Sequence, residues 1–423
     1  MIEMKNVSIR YSHAYLIGRI ETICSANDLD TKEWVNQKLG VTDYETWCKY
    51  YYRSHIDAMV EAEGQDRSSF LDCVKHFKHE ININGELEDY KFNISAIHLF
   101  FFPFNITLVA LEINDSGNTL NNMTWGHGKL MNWNNNYSTF PQLVKTAVSP
   151  LKGILASKDL SKLCVDGNKF KIYQVVNVER QKDADMRALL FEIGTSSPID
   201  CVNENGTFTP SRLYYDEIMS NNLISTFDNW SALALVDSFT FLSNTDRKND
   251  VTWDDFYEDW NHYYFRLIYV RCIFEKIFCF SRNNAYRSNI DNEELSDEIT
   301  KMERYYFYDN ISYNFQPRLL YEMMARGLGI KNEREELSKQ VKEYAKLTEE
   351  KERASEERKK EYITLALSVF AVFSVAWDLC SIIKDAFVDG FHLTAIIIFC
   401  CSIVAVLLLA IYIFIIKKHG EKG

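Results

Sequence analysis

The sequence predicts an α+β soluble domain followed by a long stalk helix and a C-terminal two-helix transmembrane hairpin. Three observations predict it. Residues 90–114 gather aromatic and β-branched residues around Pro103; glycine and proline are absent from Ile330 to Asp389; and two apolar runs, Tyr362–Ile383 and Leu393–Ile416, lie near the C-terminus. A chain of 423 residues exceeds one ordinary core, so two or three units are expected. They read as a cytosolic α/β-type domain over 1–250, a helical pair over 251–329, a stalk helix over 330–361, transmembrane helix 1 over 362–383, an external loop over 384–392, transmembrane helix 2 over 393–416 and a basic tail over 417–423.

The first element expected of the soluble part is helical. Helical patterns appear at Thr31–Leu39, Tyr44–Glu63 and Pro141–Ala156. Between them, residues 90–114 read as two strands joined by a turn at Pro103, and "KFKIYQVVNV" from Lys169 reads as another strand. Mixed elements of this kind indicate an α/β or α+β domain. "WDDFYEDWNHYYFRLIYVRCIFEKIFCFSRNNAY", 253–286, reads as an aromatic-rich helix, and a second helix is expected over about 292–328.

Composition limits the function classes. The net charge of -12 argues against direct nucleic-acid binding and suits a protein that handles cations. The N-terminus has no apolar run of signal-peptide type. Ten cysteines are scattered without C-x-x-C spacing, and Cys400 and Cys401 fall inside an apolar run, as expected of reduced, buried thiols in a cytosolic setting. Asn-x-Ser/Thr sequons, at Asn93 and Asn105 among others, are read as coincidence.

No catalytic constellation emerges, so an enzyme is not expected. "WGHGK" at 125–129 lacks the strand–loop–helix context and spacing of a phosphate loop. Cys73, His76 and His79 have C-x-x-H-x-x-H spacing on an expected helix, "DCVKHFKHE". Ligands at i, i+3 and i+6 turn progressively off one helical face, so surface or half-buried side chains are expected there and a metal site is not. Tyr263, Tyr264 and Arg266 have the residue types to stack a nucleobase, with core packing the simpler account.

The stalk and spans are more specific. "KNEREELSKQVKEYAKLTEEKERASEERKK", 331–360, carries i, i+4 pairs such as Glu335–Lys339 and Glu349–Arg353 in the favourable order. Leu337, Val341 and Tyr344 form a thin apolar seam of coiled-coil type. Nothing stops the helix before the first span. From 330 to about 383 it would measure on the order of 80 Å, either as a solvated linker to an anchor or as a rod carrying motion into the membrane. Each apolar run matches the roughly 20 residues a spanning helix needs. A buried hairpin of a soluble core would also be apolar, but the second run has no charge over its whole length. Arg358, Lys359 and Lys360 before the first span, and Lys417 and Lys418 after the second, put both ends in the cytoplasm by the positive-inside rule.

Within the first span Thr364, Ser368, Ala371, Val375 and Asp378 recur at steps of 4, 3, 4 and 3, one helical face that is small or polar. In lipid such a face is costly, and in a ring of identical subunits it would line a pore with Asp378 as a carboxylate ring. The other account places Asp378 at the interface, ending the span.

This layout resembles the CorA family of divalent-cation channels: a cytosolic N-terminal domain, one very long helix entering the first span, a short external loop, and a second span with a basic tail. The likeness in layout covers residues 250–423. It implies a homopentamer in a bacterial inner membrane, multi-pass, with the first spans around the pore. The family's Gly-Met-Asn signature is replaced here by Ala376-Trp377-Asp378, so magnesium selectivity is not implied. A cation preference is, with Asp378, Asp385 and Asp389 as acidic rings at the outer mouth and Lys384 opposing them. The segments at 97–114 and 224–242 are similar in character to a divergent CorA-like branch. That branch serves as the membrane effector of type III CRISPR systems and answers a nucleotide second messenger made from S-adenosylmethionine and ATP. The resemblance therefore implies an antiviral, ligand-gated channel, with a divalent cation such as magnesium and a nucleotide as the ligands to consider. No ligand-binding residue is assigned from the sequence. The alternatives are a housekeeping divalent-cation transporter and a non-conducting membrane-anchored scaffold.

Overall fold

A computed structural model describes residues 7–20, 29, 33–37, 75–115, 117–132, 169–179, 185–204, 206–244, 257–287, 292–307, 311–386, 397 and 401. The chain divides into two units, Met1–Gln340 and Val341–Gly423.

The first unit is α+β. Its strands are β1 (Ile9–Ile20), β2 (Val35–Asn36), β3 (Lys75–Leu87), β4 (Tyr90–Phe102), β5 (Ile106–Asn114), β6 (Lys171–Val178), β7 (Leu223–Phe227), β8 (Trp230–Ala234) and β9 (Ser238–Ser243). They form one sheet in the order β2-β3-β4-β5-β1-β6-β9-β8-β7. Pairings are antiparallel except β6 with β9, which is parallel. The helices of this unit are α1 (Leu120–Met131), α2 (Met186–Thr195), α3 (Arg212–Asn222), a π-helix at Asp259–Tyr269 continued by α4 (Val270–Arg287), α5 (Asn292–Tyr305) and α6 (Phe315–Gly327). A long helix α7 (Ile330–Ala386) begins in the first unit and continues in the second.

The two strands expected around Pro103 are β4 and β5, joined by the turn at 103–105 where Phe104 and Asn105 take positive φ. The strand expected from Lys169 is β6. Three expectations are corrected. "DCVKHFKHE" is not helical, because from Lys75 it is β3, paired residue by residue with β4. Alternating isoleucine and asparagine at 81–84 suits a pleated strand, and the two-residue turn at Glu88-Asp89 brings β4 alongside, so cross-strand pairing overrides the local i, i+4 pattern. Val35–Asn36, inside the helix expected at Thr31–Leu39, is a short strand on the edge of β3. The helix expected over 292–328 is two helices, α5 and α6, on either side of Ile311–Asn314. The helices expected at 44–63 and 141–156 lie outside the described residues.

Alternation sorts the sheet into two faces. One carries Ala14, Leu16, Ile97, Leu99, Val109, Leu111, Ile172 and Val176, packed with Leu120 and Met123 of α1 and Leu189, Leu190 and Ile193 of α2. The other carries an aromatic layer under the π-helix. Tyr15 stacks on Phe265 at 3.7 Å, Phe241 meets Trp260 at 4.2 Å, and Phe102 stacks on Phe274 of α4 at 4.5 Å. The aromatic helix expected at 253–286 is thus present, but its first part is wound as π, which is rare and recurs at functional sites.

The start of α7 is held by side chains of α4. Lys276 donates to the Leu328 carbonyl at 2.8 Å, Asn283 donates to Glu333, and Arg287 pairs with Glu336. Two glycines permit this junction. A Cβ on Gly327 would fall 2.5 Å from the Ala234 carbonyl oxygen of β8, and Gly329 sits at φ +70, a left-handed conformation that closes α6 at low cost only for glycine. From Ile330 the helix is unbroken. Leu337 is buried, and Val341 and Tyr344 are half-buried, along the expected seam. The Glu349–Arg353 pair is present at 2.5 Å, whereas Glu335 faces Lys331 at 3.9 Å.

Candidate functional site

The described residues contain a cleft of about 260 Å³ between β3, β4 and the π-helix. The fold assembles it from five segments. β3 contributes His76 and Lys78, and β4 contributes His98 at the register position opposite Lys78. Gln37, whose backbone N–H donates to the His76 carbonyl, follows β2. Tyr15 comes from β1, and the π-helix supplies Asn261, His262, Tyr263, Phe265 and Arg266. The wide π winding sets buried Asn261, Tyr264 and Phe265 against the sheet and leaves His262 exposed.

A hydrogen-bonded chain runs back from the cleft into the sheet. His76 Nε2 and His98 Nδ1 are 2.9 Å apart, and His98 Nε2 is 2.9 Å from Glu112 Oε2. Lys78 Nζ lies 3.4 Å from the same carboxylate, and His13 Nε2 lies 3.9 Å from its other oxygen. Burial alone would raise the pKa of Glu112, but the hydrogen bond from His98 and the nearby His13 and Lys78 outweigh it and bring it down to about 2. It is a carboxylate at neutral pH. His98 therefore donates through Nε2 and, being held neutral by burial, accepts at Nδ1 from the Nε2–H of His76. That leaves a bare lone pair on His76 Nδ1, which is buried and has no hydrogen-bond partner among the described residues.

The histidines are kept neutral for a common reason. Burial is the largest cause for each: it takes His13 down to about 4 and pushes His76 well below its ordinary value. At His76 every further influence, from Arg266, His98, His262 and Lys78, acts in the same direction.

The other sequence candidates fall as follows. His76 and His79, three apart on a strand, point to opposite sides. His79 Nδ1 is instead 2.7 Å from the Glu33 carbonyl, and Cys73 lies outside the described residues. Among the described residues no group of three His, Cys, Asp or Glu is placed to hold a metal ion. "WGHGK" lies within α1, where buried His127 bridges Asp115 at 2.7 Å and Gln174 at 2.6 Å. Tyr263 and Arg266 line the cleft, while Tyr264 packs on Trp260 at 4.7 Å. Sequence reasoning missed His13, Lys78, His98 and Glu112 as a group. The available signal was a histidine and a glutamate set into otherwise apolar runs, "IHLFFF" and "ALEIN".

The stretch of α7 up to Asp378 includes a run long and apolar enough to cross a membrane, none of it buried. Thr364, Ser368, Ala371, Val375 and Asp378 are all exposed on this one helix, as is Trp377, with Ala376 half-buried. The hydroxyls of Thr364 and Ser368 each donate to the carbonyl four residues earlier, at 2.8 Å. Lys384 and Asp385 fall in the last turn of α7. Asp389 and nearly all of the second apolar run lie outside the described residues.

No protein-family model matches the chain, and neither a curated protein nor a solved structure matches it.

Proposed function

We propose that this chain is a homo-oligomeric inner-membrane channel of CorA-like build, most simply a pentamer, opened by a ligand bound to its first unit. The observation that carries the reading is α7, one helix without a break from Ile330 to Ala386, charged over its first half and, from Tyr362 to Asp378, mainly apolar and exposed apart from half-buried Val369 and Ala376. A lone helix gains nothing in lipid from an exposed Thr364–Ser368–Ala371–Val375–Asp378 face, whereas a ring of copies would turn that face toward a water-filled axis. Asp378, with Asp385 and Asp389 beyond it and Lys384 opposing them, would favour cations at the outer end. Magnesium selectivity is not proposed, since Ala376-Trp377-Asp378 stands where the family has Gly-Met-Asn. The biological role proposed is an antiviral effector that collapses ionic balance when a nucleotide second messenger appears. Both chain ends are proposed to be cytoplasmic, with two spans.

The test is ion flux from liposomes containing the purified chain, with and without candidate nucleotides, alongside mass measurement in detergent. Ligand-dependent cation flux from an oligomer is expected. Flux without ligand, with rescue of a magnesium-auxotrophic bacterium, would favour a housekeeping transporter, and a monomer without flux would leave a membrane-anchored scaffold.

A further inference from the structure

We infer that the cleft over β3 and β4 binds a small phosphate-bearing anion through Lys78, Arg266 and the His76–His98 pair, and that binding takes up a proton. In supplying a ligand for the first unit the inference rests on the ligand-gated reading above, but binding is measured apart from conduction.

Size comes first. At about 260 Å³ the cleft is smaller than the roughly 300–1,000 Å³ of sites for drug-sized ligands, so it suits a compact ligand or the head of a longer one. Chemistry comes second. Among its aromatic and apolar side chains the lining holds donors and cations from different elements: Lys78 from β3, and His262 and Arg266 from the π-helix. Phosphate has several acceptor oxygens and suits a convergent set of lysine, guanidinium and imidazole groups better than a carboxylate, which has two. Among the described residues Glu258 is the single carboxylate in the lining. Glu112, behind the cleft, is already engaged by His98 and Lys78.

Third is the unsatisfied end of the chain. His76 Nδ1 is a basic nitrogen without a partner among the described residues, which carries an energetic cost when buried. It stays unprotonated because burial, Arg266 and Lys78 all oppose a charge there. An anion near Lys78 and Arg266 would offset the part of that opposition that comes from their charges. The groups that face the pair are Lys78 on β3, Glu112 on β5, His13 and Tyr15 on β1, and Glu258, His262 and Arg266 on or beside the π-helix. Of these Glu112 favours a proton on His98, and Glu258 acts on His262.

Isothermal titration calorimetry on the full chain in detergent tests this with inorganic phosphate, AMP and sulfate, in two buffers of different ionisation enthalpy. The expected result is saturable binding of phosphate or AMP with net proton uptake near pH 7. Sulfate, whose charge is constant, should bind more tightly as pH falls from about 8 to about 6. Arg266→Gln should weaken binding about tenfold or more in a protein that still folds, and Glu258→Gln should tighten it. Should Lys78→Met fail to fold, Arg266→Gln and His76→Asn carry the test, the latter abolishing proton uptake. No saturable binding at millimolar probe, or equal binding by parent and Arg266→Gln, overturns the assignment. Binding only of anionic lipid vesicles, and of none of the three soluble probes, also overturns it. Binding without liposome flux would leave the site standing and sink the channel reading, and ligand-gated flux without binding at this cleft would do the reverse.

Discussion

Replacing His13 by glutamine should make the protein more resistant to acid. His13 is half-buried on β1 beside Glu112, and its desolvation holds its pKa near 4 against an ordinary 6.5, with Glu112 offsetting part of the effect. A histidine depressed in the folded state binds its proton more readily when unfolded. Stability is therefore full above the unfolded value of about 6.5, falls as pH drops through that window, and has lost its whole increment below about 4. The difference corresponds to about 3 kcal/mol in total, of which about 2 kcal/mol is lost by pH 5. His13→Gln removes that contribution and keeps an amide able to donate to Glu112. Urea unfolding of the full chain in detergent, followed by the fluorescence of buried Trp230 and Trp260, reads it directly. The variant should sit within about 1 kcal/mol of the parent at pH 7 and exceed it by about 2 kcal/mol at pH 5. Parallel stability curves for the two proteins between pH 7 and 5 would show that His13 does not titrate as its burial requires.

Glu192 should behave in the opposite sense, because burial raises its carboxyl to about 7 against the hydrogen bonds it accepts from Asp200 and Val202 backbone N–H groups. Its folded form holds the proton better, so its effect on stability should worsen as pH rises from about 4.5 to about 7. Glu192→Gln, which turns an amide donor toward one of those N–H groups, should cost about 1–3 kcal/mol and speed amide exchange at Asp200 or Val202. Gly327→Ala should cost about 1–3 kcal/mol, since its Cβ would lie 2.5 Å from a backbone oxygen of β8; an unchanged melting temperature would count against that close approach. In liposomes Asp378→Asn should lower cation flux, and Ser368→Leu should close the path by an apolar collar. Parental flux in both would mean that another face lines the path, or none.

How much was legible in the sequence depended on whether the deciding interactions were local. The β4–turn–β5 hairpin could be read because its strand residues and Pro103 lie within 25 residues of one another (90–114). The unbroken α7 could be read because nothing in 330–389 interrupts a helix. β3 could not, since "CVKHFKHE" has an acceptable helical spacing and becomes a strand only through β4. The cleft was out of reach for the same reason. His13, His76, His98 and Glu112 come from four strands and meet only through sheet register, and the π winding that brings His262 and Arg266 over them has no local pattern. Tyr263 and Arg266 were noticed, but without the sheet beneath them they had nothing to act with.

The single parallel joint in the sheet bears on how the protein is made. β6 pairs with β1 on one side as soon as residue 178 is available, but its other edge waits for β9, which follows only after α2, α3, β7 and β8. During synthesis that edge is a strand whose eight residues are all buried in the finished protein, open to any neighbouring chain. What closes it correctly is a set of polar ties and not apolar pairing alone. Asp237, at the entry to β9, takes the buried ammonium of Lys171 at 2.7 Å, its carbonyl accepts the Ile172 amide at 3.0 Å, and Gln174 donates to Thr240 at 2.7 Å. A one-residue slip would strand a buried lysine without its counter-ion. The polar ties thus favour one alignment of the late strand, and a nascent chain stalled before Asp237 presents an adhesive edge.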